Sequence, residues 1–146
     1  MENVKIDNFQ KAFPDQEFPP FSHLNIQIAT KFKVLLGRKL GIANPADGLE
    51  LIRKLEATGT AHPEYGVVED VLSLGQVLAS TNLSRPESVY LNWHRFDDID
   101  SLKTVDFEAY FPDIWYPSAD DLDVFDDSLK WILTITHNGL IRLAVL

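Results

Sequence analysis

The sequence predicts an α+β domain: N-terminal helices packed on a mainly antiparallel sheet that ends in a C-terminal β-hairpin. Three observations carry this. Apolar residues of the first half recur at helical spacing, those after about residue 88 alternate, and Asn138-Gly139 stands between two apolar runs as a hairpin signal. At 146 residues and 45% apolar content, the chain can bury one proper core, so 1–146 is read as a single domain.

Residues 1–22 mix Pro14, Pro19 and Pro20 with Phe9, Phe13, Phe18 and Phe21, and are expected to form an irregular arm whose aromatics dock on the body. From Ser22, Leu24, Ile28, Phe32, Leu35, Leu36 and Leu40 fall on one helical stripe. Lys31, Arg38 and Lys39 sit toward its C-terminal end, where the helix dipole favours cations, and Gly41 stops it. Leu24 to Ile28 also alternates like a strand, but the longer window favours the helix. Asn44-Pro45-Ala46-Asp47 is a start signal for a second helix, running to about Ala57 with Leu49, Ile52 and Leu55 inward and Thr58-Gly59 as its end. A third is expected over 65–80 from Val67, Val71, Leu74 and Leu78.

After Arg85-Pro86, Val89, Leu91 and Trp93 alternate with Tyr90, Asn92 and His94 as in a strand. Thr104 is expected to cap a short helix through Phe111, ended by Pro112. The stretch 120–127 fits a short helix, an acidic loop or a charged edge strand. A two-residue type I′ turn at Asn138-Gly139 would oppose Leu133 with Ala144 and Ile132 with Val145; both hairpin faces are then largely apolar, which requires helical cover on at least one side.

Charge is uneven. Residues 1–80 carry eight basic and ten acidic side chains, whereas 81–146 carry five and twelve; residues 97–127 alone hold eleven acids against one lysine, together with Phe107, Tyr110, Phe111, Trp115, Tyr116 and Phe125. Disordered acidic tails lack such aromatics, so the acid is expected on a folded surface. A rigid negative and aromatic surface suits a basic protein partner, and Asp97, Asp98, Asp113, Trp115, Tyr116, Asp120, Asp121, Asp123 and Asp126 are its candidate contacts. At least one ring of Trp115-Tyr116, set between prolines, is expected to be partly exposed and to anchor a partner, whereas Trp93 and Trp131 are assigned to the core. The same field repels nucleic acid and anionic membranes. With no cysteine and no apolar leader, a cytoplasmic location is expected.

Catalytic signatures are weak. An EF-hand loop starting at Asp121 would have Asp126 where glycine is needed and Ile132 where a bidentate acid is needed, so the aspartate run is read as a charged face, with no metal or cofactor expected. His23, His62, His94 and His137 are dispersed in sequence and match no ligand motif. His94, close to Asp97 and Asp98, is the one acid/base candidate, and no nucleophile motif accompanies it, so no catalytic residue is assigned.

The stretch from Asp113-Ile114-Trp115-Tyr116-Pro117 through Asp120-Asp121-Leu122-Asp123-Val124-Phe125-Asp126, followed by Leu129-Lys130-Trp131-Ile132 and the His137-Asn138-Gly139 turn, resembles small acidic immunity-type proteins encoded beside bacterial polymorphic toxins. That resemblance implies a cytosolic protein that neutralises a toxin, often a nuclease, by occluding its substrate-binding surface. It transfers no site residue. The expected function is therefore a stoichiometric protein-binding inhibitor. The alternatives are a small metal- or acid/base-dependent hydrolase using His94 with the carboxylates of 120–127, and an adaptor or complex subunit.

Overall fold

The computed structural model describes residues 1–42, 48–62 and 72–146. Its centre is a seven-stranded, wholly antiparallel sheet with β1 (Phe21–His23), β2 (Thr60–Ala61), β3 (Ser88–Asn92), β4 (Ile99–Lys103), β5 (Leu122–Phe125), β6 (Trp131–Ile135) and β7 (Ile141–Val145) in the order β1-β4-β3-β5-β6-β7-β2. Among the described residues the helices are α1 (Asn3–Ala12), α2 (Ile26–Lys39), α3 (Gly48–Thr58), α4 (Leu74–Ala79), α5 (Thr104–Ala109) and α6 (Phe111–Ile114). Every residue of β5 and β6 is buried, which demands cover on both sheet faces. One face packs Val89, Leu91, Val124, Leu133 and Leu143 against Leu74 and Leu78 of α4, Phe107 of α5 and Phe111 of α6. The other packs Phe125, Ile132 and Ala144 against Ala29 and Leu36 of α2 and Leu51 and Leu55 of α3.

Several local expectations are corrected. The first proline stands at position 14, so nothing prevents a helix before it, and α1 forms with Lys5 and Phe9 as its buried i,i+4 pair. Phe21 to His23 is a strand, and α2 begins only after Asn25, whose side chain accepts from the Ile28 N–H at 3.0 Å. Its end is as expected: Gly41 adopts φ +72°, Ile42 N–H bonds Gly37 O at 2.8 Å and Gly41 N–H bonds Arg38 O at 3.2 Å, a Schellman stop. In α3, Leu51 replaces Leu49 as the inward residue, and Leu49 is exposed. The start signal at 44–47 and the 65–71 part of the third helix lie outside the described residues.

Thr104 does not cap α5; its hydroxyl donates to Pro86 O at 2.7 Å. Pro112 lies in the first turn of α6 rather than ending α5, since proline is tolerated in a first turn where its missing N–H has no partner to lose. The stretch after Asp121 is a central strand, not an edge, flanked by β3 and β6. In the hairpin only Gly139 has positive φ, at +79°, and Thr136 N–H bonds Leu140 O at 3.0 Å. The turn therefore has three residues, not two. The register shifts by one, opposing Leu133 with Leu143 and Ile132 with Ala144, so that Leu143 shares a face with Leu133.

Candidate functional site

Strand register gathers what the sequence scatters. One row across the sheet runs His23, Asp100, Leu91, Val124, Leu133, Leu143 and Thr60; the next row toward one end runs Ile99, Asn92, Asp123, Thr134, Arg142 and Ala61. His62 follows Ala61 beyond that row, His94 lies two residues past Asn92, and His137 three past Thr134. All four histidines thus reach one end of the sheet. Three have an aspartate beside them there: His23 with Asp98 and Asp100, His94 with Asp123, and His137 with Asp121.

The loop between β3 and β4 organises this end. His94 and Phe96 both adopt left-handed backbone, with φ +57° and +56°, a strained geometry for side chains of this size. Two anchors hold it. The Phe96 ring is buried, and its N–H donates to the buried Asn92 Oδ1 at 2.7 Å. Asn92 Nδ2 in turn donates to Asp123 Oδ2 at 2.9 Å, and the Thr134 hydroxyl donates to Asp123 Oδ1 at 2.7 Å. These bonds satisfy a carboxylate that is 1% exposed, which would be costly to bury alone.

His94 Nε2 stands 3.4 Å from Asp123 Oδ1, an ion-pair distance without hydrogen-bond geometry. Burial alone would push this imidazole down; Asp123 above all, with Asp121 and Glu56, outweighs burial and holds it above the usual histidine range. Asp121 shows the mirror effect. Burial works to raise it, but the His137 N–H at 2.8 Å, the His137 ring at 3.0 Å and the charge of His94 hold it below the usual carboxylate range.

The nine candidate contacts divide accordingly. Asp97 and Asp98 on the β3–β4 loop, and Asp120 and Asp121 just before β5, belong to this end, with Asp123 beneath them. Asp123 is internal and is corrected as a surface contact. Trp115 is corrected too: it is 1% exposed, stacks on Phe111 at 5.6 Å and donates Nε1–H to Asp120 O at 2.9 Å. The flanking prolines do not expose its ring, because Phe111 and Ile114 carry it into the core. Tyr116 is half-buried over the Lys5 ammonium, which also pairs with Asp120. Asp113 is half-buried on α6, where burial raises its carboxyl. Asp126 lies at the opposite end of the sheet and accepts from Ser128 N at 3.0 Å and Trp131 Nε1 at 3.1 Å.

Much of the acid run therefore clamps one segment to another. His23 and Asp100 escaped the sequence reading because 77 positions separate them; only the pairing of β1 with β4 brings them together. The one signal available was a histidine at the end of a short aromatic segment, which fits too many structures to be informative. Among the described residues, no helix is long and apolar enough to cross a membrane. Among the described residues, surface hollows of about 240 to 290 Å³ lie elsewhere and are lined by no histidine. Neither a family model, nor a curated protein, nor a solved structure matches this chain.

Proposed function

We propose that the chain is a stoichiometric protein-binding inhibitor of the immunity type, whose acidic sheet end engages a basic partner such as a toxin domain. The observation that carries the reading is the sorting of charge on a rigid base. Glu2, Asp97, Asp98 and Asp121 reach the surface at one end, above Asp100, Asp120 and Asp123, whose internal bonds fix the segments they stand on. A surface ordered in advance loses little freedom on binding. The helix α2, by contrast, carries Lys31, Lys33, Arg38 and Lys39 and no acid, so the charge is unevenly distributed, and an uneven field orients an approaching cationic partner.

The acid/base hydrolase reading has less support. The hydroxyl bonded to the His94–Asp123 pair belongs to Thr134, which is 4% exposed and already donates to Asp123. The test is association kinetics with the protein encoded by the neighbouring reading frame, at low and physiological salt. Asp97→Lys with Asp98→Lys should slow association by about tenfold or more, and salt should narrow the gap. An unchanged on-rate, or no complex with that protein, would remove the acidic end from recognition.

A further inference from the structure

We propose that His23, Asp98 and Asp100 form a binding site for a divalent transition-metal ion such as Zn²⁺, Co²⁺ or Mn²⁺. His23 Nδ1 lies 3.3 Å from Asp98 Oδ1 and 3.3 Å from Asp100 Oδ1, and the three donor atoms all fall within 4.8 Å of one another. Two ligands bound about 2.0 to 2.2 Å from one ion at a tetrahedral angle stand roughly 3.3 to 3.6 Å apart. Both His23 spacings therefore fit a shared ion. One imidazole nitrogen with two carboxylate oxygens favours these ions over Ca²⁺ and Mg²⁺, which prefer all-oxygen shells.

Charge balance points the same way. Asp100 is fully buried, and Asp98 Oδ1 is shut off from solvent without a hydrogen-bond partner. The hydrogen-bond geometry of His23 Nδ1 is directed at Asp100, at 3.3 Å. That leaves the buried Asp98 oxygen 3.3 Å from the same ring nitrogen but without a hydrogen bond of its own. A dication between the three atoms relieves this, accepting the Nδ1 lone pair while the imidazole proton resides on Nε2. The His23 ring is 58% exposed, so that nitrogen can meet water and the remaining coordination positions can open to solvent.

The frame of the site is fixed. His23 and Asp100 are direct partners in the β1–β4 register. Trp93 Nε1 donates to Asp100 Oδ2 at 3.2 Å, and the Met1 amino group pairs with the same oxygen, so Oδ1 is turned toward His23. Outer contacts of this kind orient a ligating carboxylate. The site does not depend on the binding reading, since it rests on donor geometry and the unsatisfied Asp98 oxygen.

The probes are Co²⁺ and Zn²⁺, titrated into the metal-free chain and followed by visible absorption and by calorimetry. One saturable site per chain is expected, and His23→Gln and Asp98→Asn should each weaken it by about tenfold or more. Both positions reach solvent, so the variants should fold, which circular dichroism checks. His137→Gln should leave the affinity unchanged. The proposal is overturned if no saturable site exists, or if binding survives His23→Gln and Asp98→Asn, including the case where it follows His94 or His137 instead.

Discussion

Lys5 offers a quantitative test of how the acidic segment is held. Its side chain is 1% exposed, its ammonium pairs with Asp120, and it lies 4.9 Å from the Trp93 ring centroid and 4.1 Å from that of Tyr116. Lys5→Met preserves most of the apolar stem but removes the charge. Breaking a buried pair by deleting one partner costs about 3 to 5 kcal/mol, because the abandoned charge stays buried. Asp120 is 13% exposed and keeps the Tyr116 N–H at 2.7 Å, which lowers its share; the two lost ring contacts restore about 1 to 2 kcal/mol of the loss. A net cost of about 4 kcal/mol is expected, a large part of the roughly 5 to 15 kcal/mol that holds a domain together. In urea, with a slope of about 2 kcal/mol per molar, the midpoint should fall by about 2 M. A double-mutant cycle with Asp120→Asn should yield a coupling of about 2 kcal/mol. A Lys5→Met cost below about 1 kcal/mol, or simple additivity with Asp120→Asn, would refute the buried-pair argument.

Trp115→Ala and Trp131→Ala should each cost about 3 to 5 kcal/mol by urea unfolding, because both indoles are buried and each leaves a cavity; a near-neutral Trp115→Ala would return that ring to the surface. His94 has a raised folded-state pKa, so its stabilising contribution is complete below the unfolded value of about 6.5 and fades as pH rises through the folded value. The stability gap between wild type and His94→Asn, which tolerates the left-handed backbone, should therefore shrink from pH 5.5 toward about pH 8. A gap that is flat or widens would contradict the assigned partners. Gly139→Ala should cost about 1 to 2 kcal/mol, the penalty of a Cβ in the left-handed region, and a neutral result in thermal melts would argue against the three-residue turn.

Fold class was legible because periodicity is local. The alternation around Leu91 and the apolar runs beside Asn138-Gly139 depend on neighbours, and both became strands. Register was less legible: Asn-Gly serves two turn types, and only the backbone shows that Gly139 alone is left-handed. The strand containing Ile99 and Leu102 escaped notice because Asp100 interrupts its apolar pattern and Asp98 stands just before it. Those same aspartates belong to the sheet end with the most acid–histidine pairs. Asp123 was legible as an acid but not as an interior one, since its burial depends on Asn92 and Thr134 from two flanking strands. Local reading found the acid, and long-range pairing decided which carboxylates face water.

The strand order has a consequence for the folding sequence. The five middle strands all come from residues 88–145, whereas β1 and β2 come from the first half and close the two outer flanks. Pairings of high sequence separation require the longest loop closures and tend to form late. On the ribosome, the N-terminal helices therefore emerge well before the sheet they cover, and β4 and β7 stay open to another chain until three- and two-residue strands seal them. His23 travels with one of those closing strands. It reaches Asp98 and Asp100 only as that flank closes, so a metal ion held by the three would fasten the last seam of the fold.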